Sequence, residues 1–415
     1  MGASSLTSVN GQRLWGSLME LAQIGATPAG GVRRLALTDE DRLGRDWLKR
    51  QAQAAGLAVS IDVVGNMYLR RAGKVDMPPV LIGSHIDTQP SGGKFDGAFG
   101  VLAGLEVCRV LAEQHILTEL PIEVVAWTNE EGSRFLPVMA GSGVYAGVYD
   151  ADTVLDARAS DGARFGDELA RIGYTGTAGL VSRPAAAYLE AHIEQGPILE
   201  AQDRAIGAVR GALGQVWFEV EIIGYEAHAG PTPMDRRKDA LQAAAEIISG
   251  IEAIGRIHPE ARATVGMISV WPNSRNVIPG QAKFSVDLRH PDQSGCNDMS
   301  GRFLALVEEV SSRRGVDASL KKTNDWAPME FDTQLVDHVR NSAMNRGYPW
   351  MDVVSGAGHD AVYLARVCPT AMVFIPCKDG ISHNESEYAR FEHVEAGANV
   401  LLDCVLWAAG QAYNR

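Results

Sequence analysis

Residues 83–97 read GSHIDTQPSGGKFDG, and they set one histidine and two aspartates in a glycine-rich segment directly after the short apolar run PPVLIGSH. His85, Asp87 and Asp96 supply imidazole and carboxylate there, and Gly92, Gly93 and Gly97 let the backbone turn sharply or approach a ligand closely. Further along, Glu130-Glu131 in WTNEEGSRF, His192 in HIEQGP and His383 in ISHNESE add donors of the same kind. A lone histidine or aspartate in a loop is more often solvated or capping than ligating. Five donors together, His85, Asp96, Glu131, His192 and His383, make the nitrogen and oxygen set that suits Zn²⁺ or Mn²⁺ and accepts Co²⁺ or Ni²⁺. Asp96 could bridge two ions, and two ions roughly 3.5 Å apart polarise a water for hydrolysis. Adjacent glutamates leave a strand in different directions, so one carboxylate can ligate while the other faces the water as a general base. The plain alternative for that pair is a solvated acidic turn.

Such donors need strand ends to hold them. PPVLIGSH is β-branched and apolar, the pattern of a buried parallel strand, and ligands of open α/β sheets gather at the carboxyl ends of such strands. Before it, residues 38–56 predict a helix with Thr38 as cap, an acidic first turn, Leu43, Trp47, Leu48 and Ala52 on one face, and Gly56 as the stop. Strand-like LAVSIDVVGNMYLRR, helical GAFGVLAGLEVCRVLAEQ and strand-like PIEVVAWTNEE complete an α/β layer structure with a largely parallel sheet. After Gly211 the pattern becomes strand, helix, two strands, helix, strand, the order of a ferredoxin-like unit. Helix and strand alternation then resumes, closing on the helical HVEAGANVLLDCVLWAAGQAY. The expected organisation is a discontinuous catalytic domain, 1–211 and 329–415, with an inserted lid domain at 212–328.

At 415 residues the chain exceeds what one core usually supports, and 46% hydrophobic with 21% charged residues fits a globular α/β enzyme. No apolar run is long enough to span a bilayer, which argues against membrane integration. The start MGASSLTSVNGQRLW lacks the basic and apolar regions of a signal peptide, and Leu6 stands where a myristoylation signal needs Ser or Thr, so a cytoplasmic protein is expected. Five scattered cysteines without C-x-x-C spacing predict neither a disulfide framework nor a thiolate zinc site. A formal charge of -13 and the absence of a basic stripe argue against a nucleic-acid partner.

The segments GSHIDTQPSGGKFDGAFGV, NEEGSRF, HIEQGP, HAGPTPMDRRKDA, RNVIPGQAKFSVDLRH, SGAGHDA and ISHNESE, spread over nearly the whole chain, resemble the amidase, hydantoinase and carbamoylase branch of the M20 metallopeptidase-like superfamily. That branch holds N-carbamoyl-L-amino acid hydrolases, β-ureidopropionases and allantoate amidohydrolases. The resemblance implies a metal-dependent exopeptidase-like α/β catalytic domain, a ferredoxin-like (βαββαβ) lid, and a homodimer formed through that lid. It implies that His85, Asp96 and His192 hold one ion, that Asp96, Glu131 and His383 hold the other, that Glu130 is the general base, and that Asp87 orients the His85 imidazole. His192 stands where dipeptidase and deacylase relatives carry an acidic ligand, which favours the carbamoylase branch.

The family's substrate residues map onto Gln195, His228, Asn276, Arg289 and Gly358. Physical chemistry agrees with that mapping. Arg289 can grip a carboxylate through two parallel hydrogen bonds, although without the family a surface salt bridge is the more ordinary reading. His228 could donate to the oxyanion formed when water attacks a carbonyl, or serve only as a turn histidine. Asn276 and Gln195 offer amides for a polar substrate, or satisfy loop backbone. The expected reaction is hydrolysis of a carboxylate-bearing ureido compound, first an N-carbamoyl-L-amino acid. Allantoate and then N-carbamoyl-β-alanine are the near alternatives. A dipeptidase, or a metal-free binding protein on the same fold, stands further off.

Overall fold

The structure, a computed structural model, describes residues 7–410. Leu6, on which the myristoylation argument turned, and the end of the last predicted helix, through Tyr413, lie outside the described residues. The chain divides into two compact units, one running to Arg210 and resuming at Glu330, the other Gly211–Met329.

The first unit is built on a nine-stranded sheet among the described residues. Its centre is parallel: Val80–His85 pairs with Ile122–Trp127 on one side and Ala187–Ile193 on the other, and Thr370–Ile375 extends the set. Its flanks are antiparallel, with Met67–Arg71 against Ile122–Trp127 and Ile206–Ala212 against Thr370–Ile375. All six residues of Val80–His85, Ile122–Trp127 and Thr370–Ile375 are buried, which is why these segments read as continuous apolar runs. Helix Ala98–Glu113 is buried on nearly every side, and Phe391–Gly410 buries most of its length.

Two sequence expectations change here. LAVSIDVVGNMYLRR forms two strands, Ala58–Ile61 and Met67–Arg71, because Asp62 Oδ1 accepts from the N–H groups of Val64 and Asn66 and folds the chain back. The helix Asp39–Ala54 forms with Thr38 accepting from Asp41 N–H, but Leu43 is 48% exposed, so its buried face is carried by Trp47, Leu48 and Ala52.

In the second unit, Gly214–Ile223, Ala240–Ile257, Ile268–Trp271, Gln281–His290, Gln293–Arg314 and Asp317–Trp326 follow in the order βαββαβ. The main strands are antiparallel, with Gln281–His290 and Asp317–Trp326 on either side of Gly214–Ile223, the ferredoxin-like arrangement. Alternation in Gly214–Ile223 sends Val216, Phe218, Val220 and Ile222 inward to meet Ala240, Ala243, Ala244, Ile247, Ile251 and Ile254, which share one helix face. Burying each large apolar side chain in that layer is worth about 1.5–3 kcal/mol. Among the described residues, no helix is long and apolar enough to cross a membrane.

Candidate metal centre

The central parallel strands bring the donors together at their carboxyl ends. His85 ends Val80–His85 and pairs with Trp127, beyond which the chain turns at Asn129 (φ 56°) into Glu130 and Glu131. His192 lies next to the end of Ala187–Ile193, opposite Phe374. Thr370–Ile375 leads to the loop of His383, which is left-handed at φ 53°. Left-handed backbone at non-glycine residues is strained by roughly 1–3 kcal/mol each, and it concentrates at functional sites.

Asp96 divides its two oxygens between two groups of partners. Oδ1 lies 3.2 Å from His192 Nε2 and 3.6 Å from His85 Nε2. Oδ2 lies 3.3 Å from His383 Nε2, which is itself 3.3 Å from Glu131 Oε2. In each of the groups His85–Asp96–His192 and Asp96–Glu131–His383 the donor atoms fall within 4.8 Å of one another. The imidazoles are turned by their other nitrogens: His85 Nδ1 bonds the Asp87 carbonyl and His192 Nδ1 the Ile193 carbonyl, both at 2.9 Å. The Nε2 atoms therefore face Asp96. Glu130 leaves in another direction from Glu131 and sets Oε2 3.5 Å from His85 Nε2.

The electrostatics fit a cation. Burial, then the charges of Asp360, Glu131, Asp87 and Asp96, pushes Glu130 well above the usual carboxylate range. Burial, then Asp96 and Asp87, does the same to Glu131. Burial lowers His85 to about 4, which keeps it neutral and ready to donate a lone pair. Burial opposes charge on Asp96, but His192 and His383 outweigh it and hold that carboxyl well below the usual range. Burial opposes charge on His192, but Asp96 outweighs it and raises that imidazole to about 9, and Asp96 raises His383 as well. Carboxylates and imidazoles crowded together out of water are an arrangement that divalent ions relieve, and the nitrogen and oxygen set matches zinc or manganese chemistry. The residues present fit such ions. A third group, Glu190–His192–His359, also lies within 4.8 Å. His192 Nε2 is already directed at Asp96 and its Nδ1 at a carbonyl, so that group shares its histidine with the first.

Asp87 does orient the His85 ring, but through its backbone carbonyl; its carboxylate is 3.9 Å from His85 Nδ1, beyond hydrogen-bond distance. The carboxylate instead accepts from the N–H groups of Glu130 and Glu131, both at 3.3 Å, and so sets the turn that splays the two glutamates. Gln195 donates to Asp96 Oδ2 at 2.9 Å and Ser382 Oγ at 3.1 Å, which places its amide against a ligand. Gly358 precedes His359, whose ring lies 4.5 Å from that of His192. In the second unit, His228 and Asn276 share one short ladder: His228 pairs with Val277 and Ala229 N–H bonds the Asn276 carbonyl. Arg289 lies on the main sheet of that unit and donates to Asp287 at 2.7 Å. Sequence reasoning missed Gln89, which binds Glu131 through backbone and side chain, and the buried Glu190, His359, Asp360 and Glu387. HIEQGP, SGAGHDA and ISHNESE sit at or beside all but the first of these, but one-dimensional spacing does not show what faces the ligands from behind.

Gly97 carries a further consequence. At φ 62°, its Cβ, were there one, would lie 2.4 Å from the His85 ring, and its N–H donates to His192 Nε2. Gly97→Ala is expected to destabilise the protein by about 1–3 kcal/mol and to displace His85. Denaturant melts together with ion content after dialysis check this; an unchanged midpoint with full ion content would contradict it.

Residues 81–407 match the model of peptidase family M20/M25/M40. The N-carbamoyl-L-amino-acid amidohydrolase of Rhizobium meliloti is 46% identical over 403 residues, covering 97% of each chain. The allantoate amidohydrolase of Bacillus subtilis is 35% identical, covering 92% of this chain and 94% of its own. A crystal structure of an amidase of the hydantoinase/carbamoylase family from Burkholderia multivorans superposes with a TM-score of 0.94 at 54% identity, covering 98% of this chain and 99% of that one. With the parallel-strand ends, the split aspartate and these likenesses in agreement, the chain belongs to peptidase family M20/M25/M40.

Proposed function

We propose that this protein is a binuclear metal-dependent amidohydrolase that cleaves the ureido C–N bond of an N-carbamoyl-L-amino acid, releasing the L-amino acid, ammonia and carbon dioxide. The observation that carries the reading is the division of Asp96, one oxygen facing His85 and His192, the other facing His383 beside Glu131. The amidohydrolase from Rhizobium meliloti supports this substrate over allantoate, whose named relative is less similar. Two divalent ions, zinc first, would be held by these five residues and would supply Lewis-acid polarisation of carbonyl and water. Glu130 takes the proton of the attacking water, a role its buried carboxylate can fill while Glu131 ligates. Asp87 holds the backbone that separates the two. His228 donates to the oxyanion, Arg289 binds the substrate carboxylate, and Asn276, Gln195 and the Gly358 backbone hold its polar groups. A panel of N-carbamoyl-L-amino acids, N-carbamoyl-β-alanine, allantoate and dipeptides, read by ammonia and amine release, tests the substrate. Turnover of allantoate alone would overturn it.

Arg289→Lys is expected to lower kcat/KM for the carboxylate substrate by on the order of tenfold or more, since a planar fork becomes a point charge. The matching carboxamide should lose little. Equal losses on both would remove Arg289 from the substrate.

We further propose a homodimer formed through the second unit, with His228 serving the partner's centre. Reassembling Glu130→Ala with His228→Ala subunits is then expected to restore on the order of a quarter of native activity, because about half the dimers are mixed and each regains one of two sites. Background ammonia release from mass-verified mixed dimers would contradict trans donation.

A further inference from the structure

We infer that Glu387 is a positioning residue of the metal centre, tying the loop of Asp96 to the loop of His383; the inference rests on the reading of that centre given above. Glu387 is 4% exposed and belongs to neither ligand group. Its Oε1 accepts from the N–H groups of Phe95 at 2.9 Å and Asp96 at 3.1 Å. Its Oε2 accepts from the Ser382 hydroxyl at 3.2 Å, and Ser382 immediately precedes His383. Ser382 Oγ also lies 3.0 Å from Asp96 Oδ2. Gly93 passes so close that a Cβ there would fall 2.0 Å from the Glu387 carboxyl carbon, so the Asp96 loop is wrapped against this one side chain.

With two backbone N–H groups donating to one oxygen and the Ser382 hydroxyl, whose single proton it shares with Asp96 Oδ2, at the other, the Glu387 carboxylate is engaged in holding backbone and hydroxyl groups. The loops it joins are remote in sequence and carry Asp96, common to both ligand groups, and His383, which belongs to only one. A shift in the Asp96 backbone would turn both of its oxygens away from their partners. Groups that orient ligands from behind in this way typically change metal affinity by about 10–100-fold when removed.

The test compares Glu387→Leu, Glu387→Asp and Glu387→Gln in the full chain, each stripped of metal and checked for folding by circular dichroism. Zinc affinity is read by competition with a chromophoric chelator, and amide hydrogen exchange of the metal-free proteins is followed at residues 90–97 and 380–387. Glutamine keeps an oxygen for the two N–H groups and can donate its amide to Ser382 Oγ, so its affinity should stay close to native. Leucine removes the bridge and should lose about 10–100-fold with faster exchange in both loops. A folded Glu387→Leu with native affinity overturns the inference. So does Glu387→Gln losing as much as leucine, because charge rather than bridging would then be what matters. If the leucine variant does not fold, aspartate decides: one methylene shorter, it cannot span both loops, and native affinity in it overturns the bridge. The failure modes are separable, since a wild-type chain that binds no zinc would refute the metal centre itself.

Discussion

Glu130→Gln should leave the ions in place and remove nearly all turnover. The amide matches the carboxylate in size and shape, so the contact beside His85 and the turn held by Asp87 persist. It cannot accept the proton of the attacking water, and a positioned general base typically contributes about 10²–10⁴-fold to rate. The loss should fall on kcat, with KM little changed, because the residues proposed to hold the substrate are others. Glu131→Gln should behave differently. Glu131 Oε2 faces His383 Nε2, so this change weakens one ligand group and should lower ion content toward one per chain. Ion content and steady-state kinetics on the two variants decide between the roles. Metal loss in Glu130→Gln with full occupancy in Glu131→Gln would reverse them.

The second large effect is expected at Asp96. Because its oxygens are split between the two groups, Asp96→Ala removes a donor from each at once, and both ions should be lost on dialysis with turnover at background. His383→Ala should lose only the group that contains it. Inductively coupled plasma mass spectrometry of the dialysed variants reads the difference directly. Two retained ions in Asp96→Ala would show that Asp96 bridges nothing.

The donors themselves were legible in the sequence because each sits where a buried parallel strand runs out into a polar or glycine-rich loop. PPVLIGSH announces His85 in this way, and PIEVVAWTNEE announces Glu130 and Glu131. The βαββαβ order of the second unit was equally plain, since Gly214–Ile223 alternates and Ala240–Ile257 repeats its apolar residues with helical period. The grouping of the donors was implied by resemblance and not by spacing, because it depends on strand pairings such as Val80–His85 with Ala187–Ile193 that join distant parts of the chain. The same limit hid the second role of Asp87, that of its carboxylate. Two residues after His85 suggests contact with that ring, yet a β-strand end directs the carbonyl there and sends the carboxylate to the Glu130 turn. The turn at Asp62 was missed because VVG within an apolar stretch reads as strand, and only side-chain bonds to Val64 and Asn66 reveal the reversal. Glu387 was hidden for a further reason: its partners are backbone N–H groups, which carry no sequence identity.

The binuclear centre is tested most directly by titrating metal-free enzyme with zinc while counting bound ions and following ammonia release from an N-carbamoyl-L-amino acid. Activity should be negligible without metal and should reach its plateau at two ions per chain. Full activity in the metal-free protein, or a plateau reached and held at one ion per chain, would contradict it.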